Sequence, residues 1–192
     1  MSTRTLIGLF LAATAGIVIF LFVSLSSDPQ KGGAPVITVG TKSAAAACTP
    51  DGGTDCLPNV QFIDTNGKVY SRTELLGKVV VVNFWATWCG PCKHEIPEFS
   101  QVATRYKGKD VVMLGVMVDN PDAQSLLDFS TDFKITYPIV RSDRVVLEAF
   151  QDPPNIPTTF VYDRSGKQRD HQVGPMSERD LSSKLDALLA ER

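Results

Sequence analysis

A chain of 192 residues with 43% hydrophobic residues and a formal net charge of -2 holds enough apolar mass for one domain with a full core plus an appendage. Its 19 lysines and arginines are interspersed with 21 acids and form no basic run, which argues against nucleic acid as a partner.

The first predicted element is the uncharged, mostly apolar run 6–25, whose length matches the roughly 20 residues that span a bilayer. A cleavable signal has a shorter apolar region, about 7 to 15 residues, and an A-x-A-like site. Only Ser24-Leu25-Ser26, a weak substitute, follows here, so the length favours a transmembrane anchor over a signal sequence. No lipobox-like cysteine follows. Arg4, the one charged side chain before the run, places residues 1–5 in the cytoplasm and the rest of the chain outside it. Residues 26–47, rich in Ser, Gly, Ala and Pro, read as a flexible linker, which leaves 48–192 as the folded domain.

Cys48 and Cys56 open that domain around the polar segment TPDGGTD, which can turn tightly enough to bring the thiols together. In an oxidising compartment this predicts a disulfide worth about 2.5 kcal/mol on the chain-entropy estimate. A structural staple and a second redox pair both remain open for it. Residues 59–63 and 68–70 read as strands joined by Asp64-Thr65-Asn66-Gly67, a hairpin turn signal. Ser71 and Glu74 form a capping box for a short helix that stops at Gly77.

The sequence then runs VVVVNFWATWCGPCKHEIP over residues 79–97. The β-branched run 79–82 predicts a strand buried on both faces, and Trp88-Cys89-Gly90-Pro91-Cys92 a turn into a helix over 89–106. A thiol at a helix N-terminus meets unpaired N–H groups and the positive end of the macrodipole, which favour its thiolate, so Cys89 is the candidate nucleophile. Two intervening residues let Cys92 close a disulfide with it, and Pro91 is tolerated in the first helical turn. Neither a second CxxC nor a paired-His motif accompanies the pair, and Lys93 stands where c-type haem attachment needs His. No metal and no organic cofactor are expected.

This stretch resembles the thioredoxin superfamily, and more closely its membrane-tethered extracytoplasmic branch: the TlpA-like and ResA-like reductases and the cytochrome c maturation thioredoxins. The resemblance runs from about residue 57 to the C-terminus. Pro97, five residues past the second cysteine, is common to both groups and should kink the helix. At Asn83 the chain departs from cytosolic thioredoxins, which carry a buried Asp there. Like the extracytoplasmic branch it places a glutamate, Glu95, three residues after the second cysteine. Positions three apart share a helix face, so Glu95 can point back toward Cys92 and, if poorly solvated, exchange its proton. Trp88 is assigned to the apolar contact surface around the thiol. Lys93 and His94 are expected to face solvent.

Residues 111–119 predict a second buried strand, Asn120-Pro121 an N-cap and N1 for a helix to about 134, 137–140 another strand and 145–150 a short helix. This region resembles the extra αβ insertion of the TlpA-like branch. In Ile156-Pro157-Thr158 the resemblance implies a cis-proline facing the dithiol, with the Ile156 backbone free to pair with an extended client. Residues 159–162 and 168–173 form a hairpin around Arg164-Ser165-Gly166, and Ser177 caps a final amphipathic helix.

The expected fold is therefore α/β: a thioredoxin-like mixed central sheet flanked by helices, with the extra αβ insertion and an N-terminal transmembrane helix. The expected activity is protein-disulfide reduction by Cys89, Cys92 and Glu95, with Trp88, Gly90, Pro91, Ile156 and Pro157 contacting substrate. The resemblance implies electrons from a membrane thiol transporter and, as clients, apocytochrome c or copper-site proteins of respiratory oxidase assembly. The site would stand on the periplasmic side of a bacterial inner membrane, on a single-pass anchor. Two rivals are an SCO-like copper carrier, which spaces its cysteines by three residues and adds a distal histidine, and a thiol peroxidase, whose Thr-x-x-Cys pattern is absent.

Overall fold

The computed structural model describes Cys48 and residues 55–191. The chain divides into two units, Met1–Ala44 and Ala45–Arg192. The segments 1–5, 6–25 and 26–47 lie outside the described residues, and among those described no helix is long and apolar enough to cross a membrane.

The hairpin comes first: β1 (Gln61–Ile63) and β2 (Val69–Ser71) pair antiparallel about a turn in which Gly67 takes φ 83°, a conformation that suits glycine. Asp64 holds this turn, its Oδ1 accepting from the backbone N–H groups of Asn66 and Lys68 and its Oδ2 from the Tyr70 hydroxyl. Ser71 and Glu74 complete both halves of the capping box on α1 (Arg72–Leu75).

The main sheet has the order β5-β4-β3-β6-β7. β3 (Val79–Trp85) occupies its centre, every residue buried, between β4 (Val111–Met117), parallel to it, and β6 (Thr158–Tyr162), antiparallel. β5 (Ile139–Arg141) extends the parallel side and β7 (Gln168–Val173) the antiparallel side, so the sheet is mixed. Alternation along β3 divides the core. Val80, Val82 and Phe84 pack with the hairpin, α1 and α4 (Arg144–Ala149). Val79 and Val81 meet α2 (Gly90–Arg105) and α5 (Glu178–Ala190) on the other face. Cys92, Glu95, Ile96, Phe99 and Val102 recur at helical spacing on the buried side of α2, and burying Ile96, Phe99 and Val102 contributes about 1.5–3 kcal/mol for each side chain.

β1 starts two residues later and β4 ends two residues earlier than the runs read at 59–63 and 111–119, and two further boundaries differ for reasons that can be named. The helix α3 (Ala123–Asp132) is capped by Asp122 rather than Asn120, because the Asp122 side chain reaches the Ser125 N–H while Asn120 is engaged by Arg141. β5 begins at Ile139, two residues late, because Tyr137 turns its ring inward against Gly115 instead of joining the ladder.

Candidate active site

The dithiol turn lies at the carboxyl end of β3. Thr87, two residues past β3, donates both its backbone N–H and its hydroxyl to Asp119 Oδ2, two residues past β4. Asp119 thus latches the turn to the neighbouring strand. Sequence reading missed it, since nothing local separates a strand-terminal aspartate from an ordinary one.

Cys89 is the N-cap of α2 and is disulfide-bonded to Cys92, with Cα atoms 5.3 Å apart. The Cys92 N–H points at Cys89 Sγ at 3.2 Å. That N–H and the helix terminus are placed to favour negative charge on this sulfur. Cys89 is 4% exposed and Cys92 fully buried, so of the two only Cys89 borders solvent. Around it Trp88 is 68% exposed, Gly90 and Pro91 are exposed, Lys93 is half-buried and His94 exposed. The Ile156–Pro157 peptide bond is cis, and the Ile156 carbonyl oxygen lies 3.8 Å from Cys89 Sγ. The turn and the loop before β6, 67 residues apart in sequence, therefore form one surface.

Glu95 sits one helical turn below Cys92 and is only 3% exposed. Beneath it lie Asn83 on β3 and Thr159 on β6, which stand in register with Gly115 on β4. The Asn83 amide donates to Thr159 Oγ1 at 3.0 Å. Glu95 Oε1 accepts from the Met176 N–H at 3.3 Å. Loss of hydration in this site pushes the Glu95 carboxyl up to about 7, against the opposing pull of the Met176 N–H and the nearby Asn83 and Thr159 side chains. A carboxyl that titrates near neutrality is suited to proton exchange.

The other pair, Cys48–Cys56, is also a disulfide, with Cα atoms 5.8 Å apart. It lies far from the dithiol turn, at the opposite end of the sheet. Cys56 bridges Lys167, the Leu57 N–H donates to the Gly166 carbonyl, and Cys48 Sγ is 3.4 Å from the same oxygen, beyond the far end of β6.

Residues 54–171 match the AhpC/TSA family. The chain is 35% identical to the thiol-disulfide oxidoreductase ResA of Geobacillus thermodenitrificans over 68% of its own length and 75% of that protein. It is 36% identical to ResA of Bacillus subtilis over 63% of its own length and 67% of that protein. Among solved structures, a thioredoxin-family thiol:disulfide interchange protein from Chlorobium tepidum superposes with a TM-score of 0.64 and 31% identity, covering 70% of this chain and 96% of that one.

Proposed function

This chain belongs to the AhpC/TSA family of thioredoxin-like proteins and is an enzyme of thiol-disulfide exchange, and from that premise we propose that it is a membrane-anchored, extracytoplasmic protein-disulfide reductase. The observation that carries the reading is the pairing of Cys89, at a helix N-cap and the less buried of the two cysteines, with a buried carboxyl one turn below its partner cysteine.

In the proposed cycle the reduced protein attacks a client disulfide through the Cys89 thiolate. One client sulfur leaves as a thiol and a mixed disulfide forms. Glu95 takes the Cys92 proton, Cys92 attacks Cys89 Sγ, the second client sulfur leaves, and the Cys89–Cys92 disulfide remains. Two electrons have then passed to the client, and a membrane dithiol transporter restores them. Trp88, Gly90, Pro91, Ile156 and Pro157 make the contact surface, and the Ile156 backbone pairs with an extended client segment. Apocytochrome c, or copper-site proteins of oxidase assembly, are the clients we assign. The apolar run 6–25 supplies the anchor, and two cysteine pairs closed as disulfides fit an oxidising compartment outside the bacterial inner membrane.

Reduced protein should convert a disulfide-closed CxxCH peptide of apocytochrome c to its dithiol, and Cys92→Ser should accumulate a mixed disulfide with it. Stoichiometric tight copper binding by the reduced protein, with no reduction of the peptide, would replace this reading with a copper carrier.

A further inference from the structure

Gly115 has no side chain where its neighbours in register are Asn83 and Thr159. A Cβ there would meet Tyr137 Cε2 at 2.6 Å and Trp85 Nε1 at 2.8 Å. Trp85 is two residues beyond Asn83 on β3 and faces the same way, and Tyr137 enters from the segment before β5. Glu95, on α2, lies near enough for its charge to act on the Tyr137 hydroxyl. These three residues are 0%, 6% and 3% exposed, and Trp85 Nε1, Tyr137 Oη and Glu95 Oε2 each lack a hydrogen-bond partner among the described residues.

Buried polar atoms are rarely left in that condition. An indole N–H can only donate, a phenol donates one hydrogen, and an ionised carboxylate can only accept. One water accepts from two donors and donates onward, and a polar site with two to four partners is where buried water resides. We propose that Trp85, Tyr137 and Glu95 form a buried water site, in which the water accepts from the Trp85 indole N–H and the Tyr137 hydroxyl and donates to Glu95 Oε2. Tyr137 is then a positioning residue for the carboxyl, a role that rests on the reading of Glu95 as the proton acceptor of Cys92.

Among the described residues, Tyr137 is the ionisable group that meets Glu95 from the β5 side. On its own helix stand Cys92 and Glu98, whose Oε2 accepts from the Glu178 N–H at the start of α5. Glu178 is in turn ion-paired with Arg105. Asn83 and Thr159 beneath it are neutral. Hydrogens aimed at Oε2 through the water favour the ionised carboxyl, so removing the Tyr137 hydroxyl should raise its proton affinity.

The test is the titration of Glu95 in full-length protein in detergent micelles, labelled with 13C at the glutamate carboxyls and assigned by Glu95→Gln. In Tyr137→Phe the Glu95 midpoint should rise by up to about one pH unit, the limit reached when the water leaves with the hydroxyl and its hydrogen bond to the carboxylate is lost. With 3-fluorotyrosine at position 137, a stronger donor, it should fall, and this protein keeps the test available if Tyr137→Phe does not fold. An unchanged midpoint in either protein overturns the water site, whatever the kinetics. A shifted midpoint with an unshifted pH profile for the resolving step supports the water site and removes Glu95 from the exchange reaction.

Discussion

The two disulfides are joined by the same bond and set in opposite surroundings. Cys89–Cys92 spans a helix N-terminus, keeps one residue of the pair at the edge of solvent, and has a carboxyl raised to about 7 beneath it. Among the described residues no helix starts beside Cys48–Cys56, and its nearest partners there are backbone groups of the turn between β6 and β7. β6 runs from Thr158, beside the dithiol, to Tyr162, before that turn, so the pairs are separated by at least the span from the first to the last residue of that strand, roughly 13 Å. Direct exchange between them within one folded molecule is sterically excluded. What this teaches is that a disulfide's task is set by what stabilises its thiolate and what can reach it.

The comparison breaks most sharply at the dithiol. Cys89→Ser should abolish insulin reduction and Cys92→Ser should leave long-lived mixed disulfides, both read by turbidity and non-reducing gels. Full turnover by Cys89→Ser would move the chemistry to the other pair.

Glu95→Gln comes next. Resolution of the mixed disulfide should slow by about 10- to 100-fold while the first attack by Cys89 changes less, measured by stopped-flow against pH. Stability should move the other way. A carboxyl at about 7 in the folded protein and 4.5 in the open chain binds its proton more tightly when folded. Its contribution is therefore fully present below pH 4.5, is lost as pH rises to 7, and leaves a cost of about 3 kcal/mol above that. Chemical denaturation should find Glu95→Gln more stable than the parent at pH 8 by about that amount, with little of the gain at pH 4. Equal pH dependence in both proteins would make Glu95 an ordinary surface-like carboxylate.

Replacing Cys48 and Cys56 together by Ser should cost about 2.5 kcal/mol of stability and leave dithiol turnover intact. Lost turnover with unchanged melting would instead give that pair a redox task. The smallest effect is expected at Asp119→Asn, which keeps an acceptor for Thr87 but removes the charge. About 1 kcal/mol, or a few-fold in kcat/KM, should be lost through a looser turn, and an unchanged kcat/KM would show that the latch does not matter to the chemistry.

Much of this molecule was legible in the sequence because its signals are local. The strand, dithiol turn and helix over 79–105, the Ser71–Glu74 capping box, the turn at Gly67 and the Ser177 cap each depend on residues within a few positions of one another, and each formed where read. The N-cap of α3 was misread because Asn120 and Asp122 are equally good caps by type, and only Arg141, 21 residues away, decides between them. Tyr137 was read as strand because its neighbours are strand formers.

By itself, then, the sequence determined the redox motif, the α/β order of elements and the buried central strand, through short-range periodicity and capping chemistry. Only the tertiary structure decided what surrounds the motif. Sheet register sets Gly115 and Thr159 on either side of Asn83, the Met176 N–H reaches Glu95 across 81 residues, and Asp119 reaches Thr87 across 32. Such partners are fixed by which strands lie side by side and which helix covers them, and no local pattern encodes that choice.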